Sequence, residues 1–331
     1  MTSVRGAAEM LLCAAFFTGV AFAGASFAAA PAPQRDSRQG HLILAMAAAG
    51  DDFKGLLSLC NARQGSGAPQ SQNSNVDATK VFDNLYFVGL PSVSAWALTT
   101  SGGIIVLDAL NNPSEAETYI EGGLRKLGLD PAEIKYVVVT HAHGDHYGGA
   151  QYLADKFHAR LVMSDTDWKV LEGPPRSNAP ANWGPLPKRD IAVKDGGNLT
   201  LGDTTIEFYE TPPHTPGTLS VIMPLRDGAT WHTGGEWGGT AFNFARTTQN
   251  FITYASSAER FAGIIRDKGV DVPLSNHSVY DNSLEKISAL KVRKDGEPHP
   301  FVTGADSARR FLTVAAECAK AMRLGAAETP R

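Results

Sequence analysis

The stretch Tyr136-Val137-Val138-Val139-Thr140-His141-Ala142-His143-Gly144-Asp145-His146 decides how this chain is read. Its first five residues are a β-branched, apolar run of strand type, and the run ends in three imidazoles and a carboxylate. A buried strand that stops this way delivers four metal-ligating groups to one point at the rim of a sheet. In extended chain, residues two apart face the same side, so His141 and His143 are set for one ion. Gly144 then lets the backbone turn, so that Asp145 and His146 face a second. Imidazoles with one carboxylate suit zinc best, with Mn, Fe, Co and Ni compatible, because affinity alone does not choose the metal. A merely solvated His-rich turn needs neither the apolar strand before it nor the Gly148-Gly149 helix start after it.

Upstream, strand-like runs at 85–88, 95–99 and 104–108, separated by Pro91 and Gly102-Gly103, predict an antiparallel meander that Asp108 closes. Residues 113–127 read as a helix with Pro113 in its first turn and Gly128 after its end, leading into the 136–140 strand. Downstream, a helix runs from Gly148-Gly149 to about Phe157. Strands are then expected from Ile191, over 199–201 and 206–209, and at 219–223 and 230–233, with helices from about Ala258, Leu284 and Asp306. Strands, helices, strands, helices suggest two half-units packed sheet on sheet with helices outside.

Two ions need more ligands than one strand end supplies. His214 stands in the stiff loop Thr211-Pro212-Pro213-His214-Thr215-Pro216-Gly217, placed to complete the His141/His143 ion, and His277 ends the short run Pro273-Leu274-Ser275-Asn276, placed to complete the Asp145/His146 ion. His41, His158 and His299 sit in helical or polar surroundings and read as solvated; His232, at the end of an apolar strand, reads as structural.

The 331 residues carry a net charge of -4 and are 43% hydrophobic, enough for a core and without the basic stripe that nucleic acid would require. Residues 1–30 read as a secretory signal: Arg5, an apolar stretch from Met10 to about Phe22, then small residues through Ala30. Residues 31–80 are expected to form an N-terminal helix (about 41–61) and a polar linker (62–75), and residues 81–325 the catalytic domain. The mature chain then holds Cys60 and Cys318, for which a disulfide and two buried thiols are both open.

The strand followed by His-Ala-His-Gly-Asp-His, the downstream His-Thr-Pro-Gly and the later lone His resemble the metallo-β-lactamase-fold hydrolases over roughly Val81 to the His277 loop. The ligand set His141, His143, His214 and Asp145, His146, His277, with no cysteine, is most similar to the subclass B3 metallo-β-lactamases. The resemblance implies an αββα sandwich, an α/β fold of two mixed sheets with helices on the outer faces and the site along one sheet edge. Where related hydrolases carry a bridging Asp after Thr-Gly, this chain reads Thr233-Gly234-Gly235-Glu236, and Gly235 also departs from the serine of the B3 pattern.

The function expected from this reading is zinc-dependent hydrolysis, most concretely opening of a β-lactam amide ring. Two zinc ions generate hydroxide from a shared water, and Asp145 orients it as the catalytic carboxylate. Glu236, Trp183 and Trp237 are candidate substrate contacts, with Phe242 and Phe244 as candidate apolar walls. The alternatives are a lactonase or esterase on the same dizinc site and a non-catalytic secreted zinc-binding module. A periplasmic or secreted monomer acting on a small molecule is expected, with no nucleic acid partner and no membrane association after signal removal.

Overall fold

The computed structural model describes residues 36–62, 76–174 and 179–327. The expected signal segment 1–30 and nearly all of the polar linker lie outside the described residues. The described residues belong to one compact unit, Gln34–Arg331.

Strands β1 (Thr79–Lys80), β2 (Leu85–Phe87), β3 (Trp96–Thr100), β4 (Gly103–Leu107), β5 (Ile134–Val138), β6 (Arg160–Ser164) and β7 (Ile191–Val193) lie side by side in that order in a seven-stranded sheet. The β1–β4 ladder is the antiparallel meander expected, whereas β4 through β7 pair in parallel. A parallel strand flanked on both sides is covered on both faces, which explains the consecutive apolar residues Tyr136, Val137 and Val138 of β5. The second sheet has the order β12 (Val272–Ser275), β11 (Thr230–Trp237), β10 (Leu219–Asp227), β9 (Thr204–Glu210), β8 (Asn198–Leu201). Its β8–β11 pairs are antiparallel and β11–β12 is parallel.

Three apolar cores make this an αββα sandwich. The central one joins the inner faces, with Trp96, Leu98, Ile105, Leu107 and Val138 of the first sheet against Phe208, Leu219, Val221 and Leu274 of the second. On the outer face of the first sheet, Val106, Val137 and Leu161 meet Ile120, Leu124, Leu153 and Trp168. Ile120 lies on a π-helical turn (Ala116–Glu121) that continues α2 (Pro113–Glu115) and runs on into α3 (Gly122–Lys126), which carries Leu124, while Leu153 and Trp168 lie on α5 (Ala150–Phe157) and α6 (Asp165–Glu172), with the single turn α4 (Gly144–Tyr147) preceding α5. Over the second sheet, Ile222 and Trp237 meet apolar residues of α1 (Arg38–Ala49), α7 (Thr248–Asp267) and α10 (Ala305–Ala327). Short helices α8 (Ser278–Asp281) and α9 (Ser283–Leu290) follow β12.

Several elements differ from expectation for local reasons. The 41–61 helix is broken after Ala49, where Gly50 takes φ 52°, and resumes as the 3-10 helix Gly55–Asn61. Helix α7 begins ten residues earlier than expected because Thr247 caps it, its hydroxyl accepting from Asn250 N at 3.1 Å, and Phe251, Tyr254 and Ala255 bury one stripe of its polar first turns. Both β6 and α6 went unread in the sequence. Cys60 and Cys318 form a disulfide across 258 residues. Among the described residues no helix is long and apolar enough to cross a membrane.

Candidate metal centre

Strand β5 leaves its ladder at Val138, two residues before the expected end, and that shortening frees Thr140 for the seam between the sheets. Thr140 O accepts from Leu219 N of the second sheet at 2.8 Å, while Thr140 N donates to Asp108 Oδ1 at 2.7 Å. The chain then delivers His141 and His143 and turns into α4, which carries Asp145 and His146. His214 comes from the β9–β10 loop and His277 from the end of β12, so both sheets contribute.

The structure gathers the six residues into two groups, His141/His143/His214 and Asp145/His146/His277, with the ligand atoms in each within 4.8 Å of one another. In the first, His214 Nε2 lies 3.0 Å from both His141 Nε2 and His143 Nδ1. In the second, His146 Nε2 lies 3.3 Å from His277 Nε2 and 3.4 Å from Asp145 Oδ2. Ligand atoms at tetrahedral positions around one zinc ion would be about 3.3 Å apart.

The far side of each ring explains why these nitrogens face one another. His214 Nδ1 donates to Ala241 O and His277 Nδ1 to Ser92 O, both at 2.6 Å, and a carbonyl can only accept. His146 Nδ1 donates to Asp108 Oδ2 at 2.7 Å, and His141 Nδ1 donates to Thr140 Oγ1 at 3.0 Å, which passes its own proton to Asp108 Oδ2. Four rings are thereby fixed with Nε2 turned inward. The inward lone pairs of His141 and His214, 3.0 Å apart, repel unless a cation lies between them, and in the second group an ion would take the place of the proton on His146 Nε2, so the donor set fits a metal ion in each group.

Charge divides the two groups. Burial holds His141 well below the ordinary histidine range and His214 down at about 3, so both are neutral. Burial also works against charge on His146, but Asp145 and Asp108 outweigh it and raise this ring. Asp145 in turn is driven below the carboxylate range despite its burial, chiefly by His146. Asp145 remains 24% exposed, whereas His141 and His146 are sealed.

A cavity of about 450 Å³ opens over both groups, with His143, Asp145 and His277 in its lining and Trp183, Asn182 and Asn243 on its walls. Trp183 lies 6.0 Å from the His143 ring, and a Cβ on Gly144 would fall 2.2 Å from its indole. Gly144 is therefore needed for room beside Trp183; it sits in α4 without positive φ, which corrects the expectation of a glycine-permitted turn.

The other expected substrate contacts are corrected. Trp237 is 1% exposed and packs beside Phe261, its Nε1 donating to Tyr254 Oη at 3.2 Å. Glu236 lies on β11 opposite Leu274, buried and outside the cavity lining, and burial beside Asp108 and Asp281 pushes its carboxyl well above the usual range. Phe242 and Phe244 pack on Phe251 and Tyr254 of α7 instead of walling the cavity. His41 and His299 are buried, not solvated: His41 pairs with Glu317 at 2.6 Å, and His299 donates to Val81 O at 2.8 Å while stacking on Phe82. His232 pairs with Asp271 at 2.6 Å, and His158 is an exposed left-handed cap on α5.

Two carboxylates that order the site escaped the sequence reading. Asp108, with φ 61°, ends β4 as His141 follows β5, and a polar residue closing a buried strand was the signal available. Asp167, on the unread helix α6, accepts from Ala142 N at 2.8 Å, Gly217 N at 2.7 Å and Thr215 Oγ1, tying the His141/His143 segment to the His214 loop.

The sequence profile of the metallo-beta-lactamase superfamily matches residues 88–228. An uncharacterized protein of Bacillus subtilis is 30% identical over 149 residues, 43% of this chain and 61% of that protein. A hydroxyacylglutathione hydrolase of Mesorhizobium japonicum is 32% identical over 124 residues, 38% of this chain and 40% of that protein. The chain thus spans less than two thirds of the length of these curated relatives. Among solved structures, a subclass B3 metallo-beta-lactamase of Bradyrhizobium japonicum superimposes with a TM-score of 0.65 at 27% identity, over 78% of this chain and 99% of that one. A metallo-beta-lactamase from Cronobacter sakazakii, in a HARLDQ-motif mutant, gives 0.64 at 26% identity over 77% and 100%. Sheet order, the two ligand groups and these likenesses agree: residues 88–228 match the metallo-beta-lactamase superfamily, and the described chain has the αββα fold of the metallo-beta-lactamases on which it superimposes.

Proposed function

We propose that the protein is a dizinc hydrolase that opens the amide ring of β-lactams. His141, His143 and His214 would hold one ion, and Asp145, His146 and His277 the other. Such a pair supplies an activated water and polarises the scissile carbonyl. The observation that carries the reading is the convergence of inward-turned ligand atoms in two groups beneath one open cavity. Within the chain, Asp145 is the ligand carboxylate exposed toward that cavity and would accept a hydrogen bond from the attacking water, orienting it toward the substrate. Trp183 shields one side from bulk solvent. Asp108 keeps the His141 and His146 rings turned with Nε2 toward the ions they would hold.

A second reading, hydrolysis of a lactone or ester at the same site, is favoured by the cavity wall. No Lys or Arg stands among its described lining residues to meet the carboxylate that β-lactams carry, while Asn111, Asn182 and Asn243 are present. The protein is proposed to work as an exported monomer, in the periplasm or outside the cell. Purified protein with zinc, assayed on a penicillin, a cephalosporin, a carbapenem, a lactone and aryl esters, separates these readings. Chelator-sensitive β-lactam turnover is the expected result, and turnover of lactone or ester alone would replace it with the second reading. Absence of metal-dependent hydrolysis across the panel would leave a zinc-binding module.

A further inference from the structure

His277 stands between β12 and α8, and what backs α8 is a segment more than 200 residues upstream. A Cβ on Gly55 of the 3-10 helix would fall 2.2 Å from Val279 O, so the two backbones are in direct contact. Asn282, capping α8, donates to Asp52 O at 2.5 Å. On its other side this upstream segment is fastened to α10. Cys60 is bonded to Cys318, Phe53 meets Phe311 edge to face at 5.4 Å, and Asp52 pairs with Arg310. A 3-10 helix is short and weakly hydrogen-bonded, so it holds a position through its attachments more than through its own ladder. The His214 loop has a separate anchor in Asp167, which accepts from Gly217 N and Thr215 Oγ1.

We propose that the Cys60–Cys318 disulfide is a positioning element for the second ligand group. It presses the Gly55 backbone against Val279 and so keeps His277 aligned with Asp145 and His146, leaving the His141/His143/His214 group untouched. The proposal rests on reading Asp145, His146 and His277 as a metal site, and it links completion of the dinuclear centre to disulfide formation. It also assigns the N-terminal elements a part in the site.

Two variants test it: Cys60→Ser combined with Cys318→Ser, and Gly55→Ala, which lifts the segment from Val279 with the disulfide intact. Stepwise zinc constants from competition with a fluorescent chelator should show the weaker-site constant loosened roughly 10- to 100-fold, as when a metal ligand loses its support, with the other unchanged. Leu124→Ala, which destabilises the opposite helical layer, should leave the ratio of the two constants as in the parent. Hydrogen exchange on the metal-free protein supplies the second readout. The amides of Ser275, Tyr280 and Ser283, bonded to Asp281, His277 and Asp281, should exchange faster in both variants, while those of Leu219 and Gly148 should not. Parallel weakening of both constants, or exchange accelerated equally around both groups, would overturn the proposal. If the parent protein takes up no second ion, the dizinc reading fails and the exchange comparison alone decides the positioning role.

Discussion

The two ligand groups, a few ångströms apart, are built on different plans. His141, His143 and His214 are buried, braced by Thr140, Ala241 and the Asp167 carboxylate, and burial keeps His141 and His214 neutral. Asp145, His146 and His277 include a partly exposed carboxylate and a ring held protonated between two acids, and the support of His277 reaches out to Ser92 and α8. Rigidity and readiness for an ion go with the first group, exposure and adjustability with the second. Dinuclear chemistry benefits from this division, because one group can anchor while the other accommodates the changing charge of a substrate.

The comparison breaks most readily at its ligands. His141→Ala should reduce chelator-sensitive turnover to the background of the metal-free protein, with metal content falling at the anchoring group, whereas His277→Ala should keep one tightly held ion per chain. Elemental analysis of both variants decides this, and equal metal loss in the two would remove the asymmetry. Asp108 serves both groups, so Asp108→Asn should weaken both zinc constants by roughly 10- to 100-fold; an effect confined to one group would show that the shared carboxylate braces only that side. Trp183→Ala strips an aromatic wall contact worth about 1 kcal/mol. Steady-state kinetics should show a several-fold rise in KM with metal content intact, and loss of metal instead would make Trp183 a brace for His143.

Protonation supplies a finer contrast. Because His146 lies above its ordinary range in the metal-free protein, it carries a proton at pH 7 that an incoming ion must displace, while Asp145 is already ionised and His141 and His214 already neutral. Binding at the second group should therefore release about one proton more than binding at the first, and its affinity should rise more steeply with pH. Calorimetry in buffers of different ionisation enthalpy counts those protons; equal release would mean that Asp108 and Asp145 do not hold the His146 charge. The smallest expected change is in Trp237→Phe, which removes the bond to Tyr254 Oη at a cost of about 1 kcal/mol in stability. Unfolding and kinetics together should register that loss with kcat/KM unaltered.

The αββα order and the pairing of His141/His143 with His214 and of Asp145/His146 with His277 were legible because strand ends and periodicity are local signals. What supports the rings was less so. Asp108 was visible as the last residue of a strand, but its partner His146 lies 38 residues on, and nothing local reveals which carboxylate faces which imidazole. Asp167 was hidden with its helix, since 160–172 mixes apolar and charged residues without an emphatic period. Trp237 and Glu236 misled for the opposite reason. The expected strand stops at residue 233, yet Gly234 and Gly235 are strand residues of β11, and both side chains belong to the interior.

Ligands drawn from both sheets carry a consequence for how long the protein survives. An unfolded chain scatters these groups, so the proposed ions would bind the folded state alone, and free zinc at about a hundred times its dissociation constant would add about 2.7 kcal/mol to the resistance to unfolding. Under the dizinc proposal, metal supply would set the lifetime of the molecule along with its activity, and a medium stripped of zinc would clear the protein as well as silence it. Thermal denaturation across a series of buffered zinc concentrations would measure that dependence, and a midpoint indifferent to zinc would refute it.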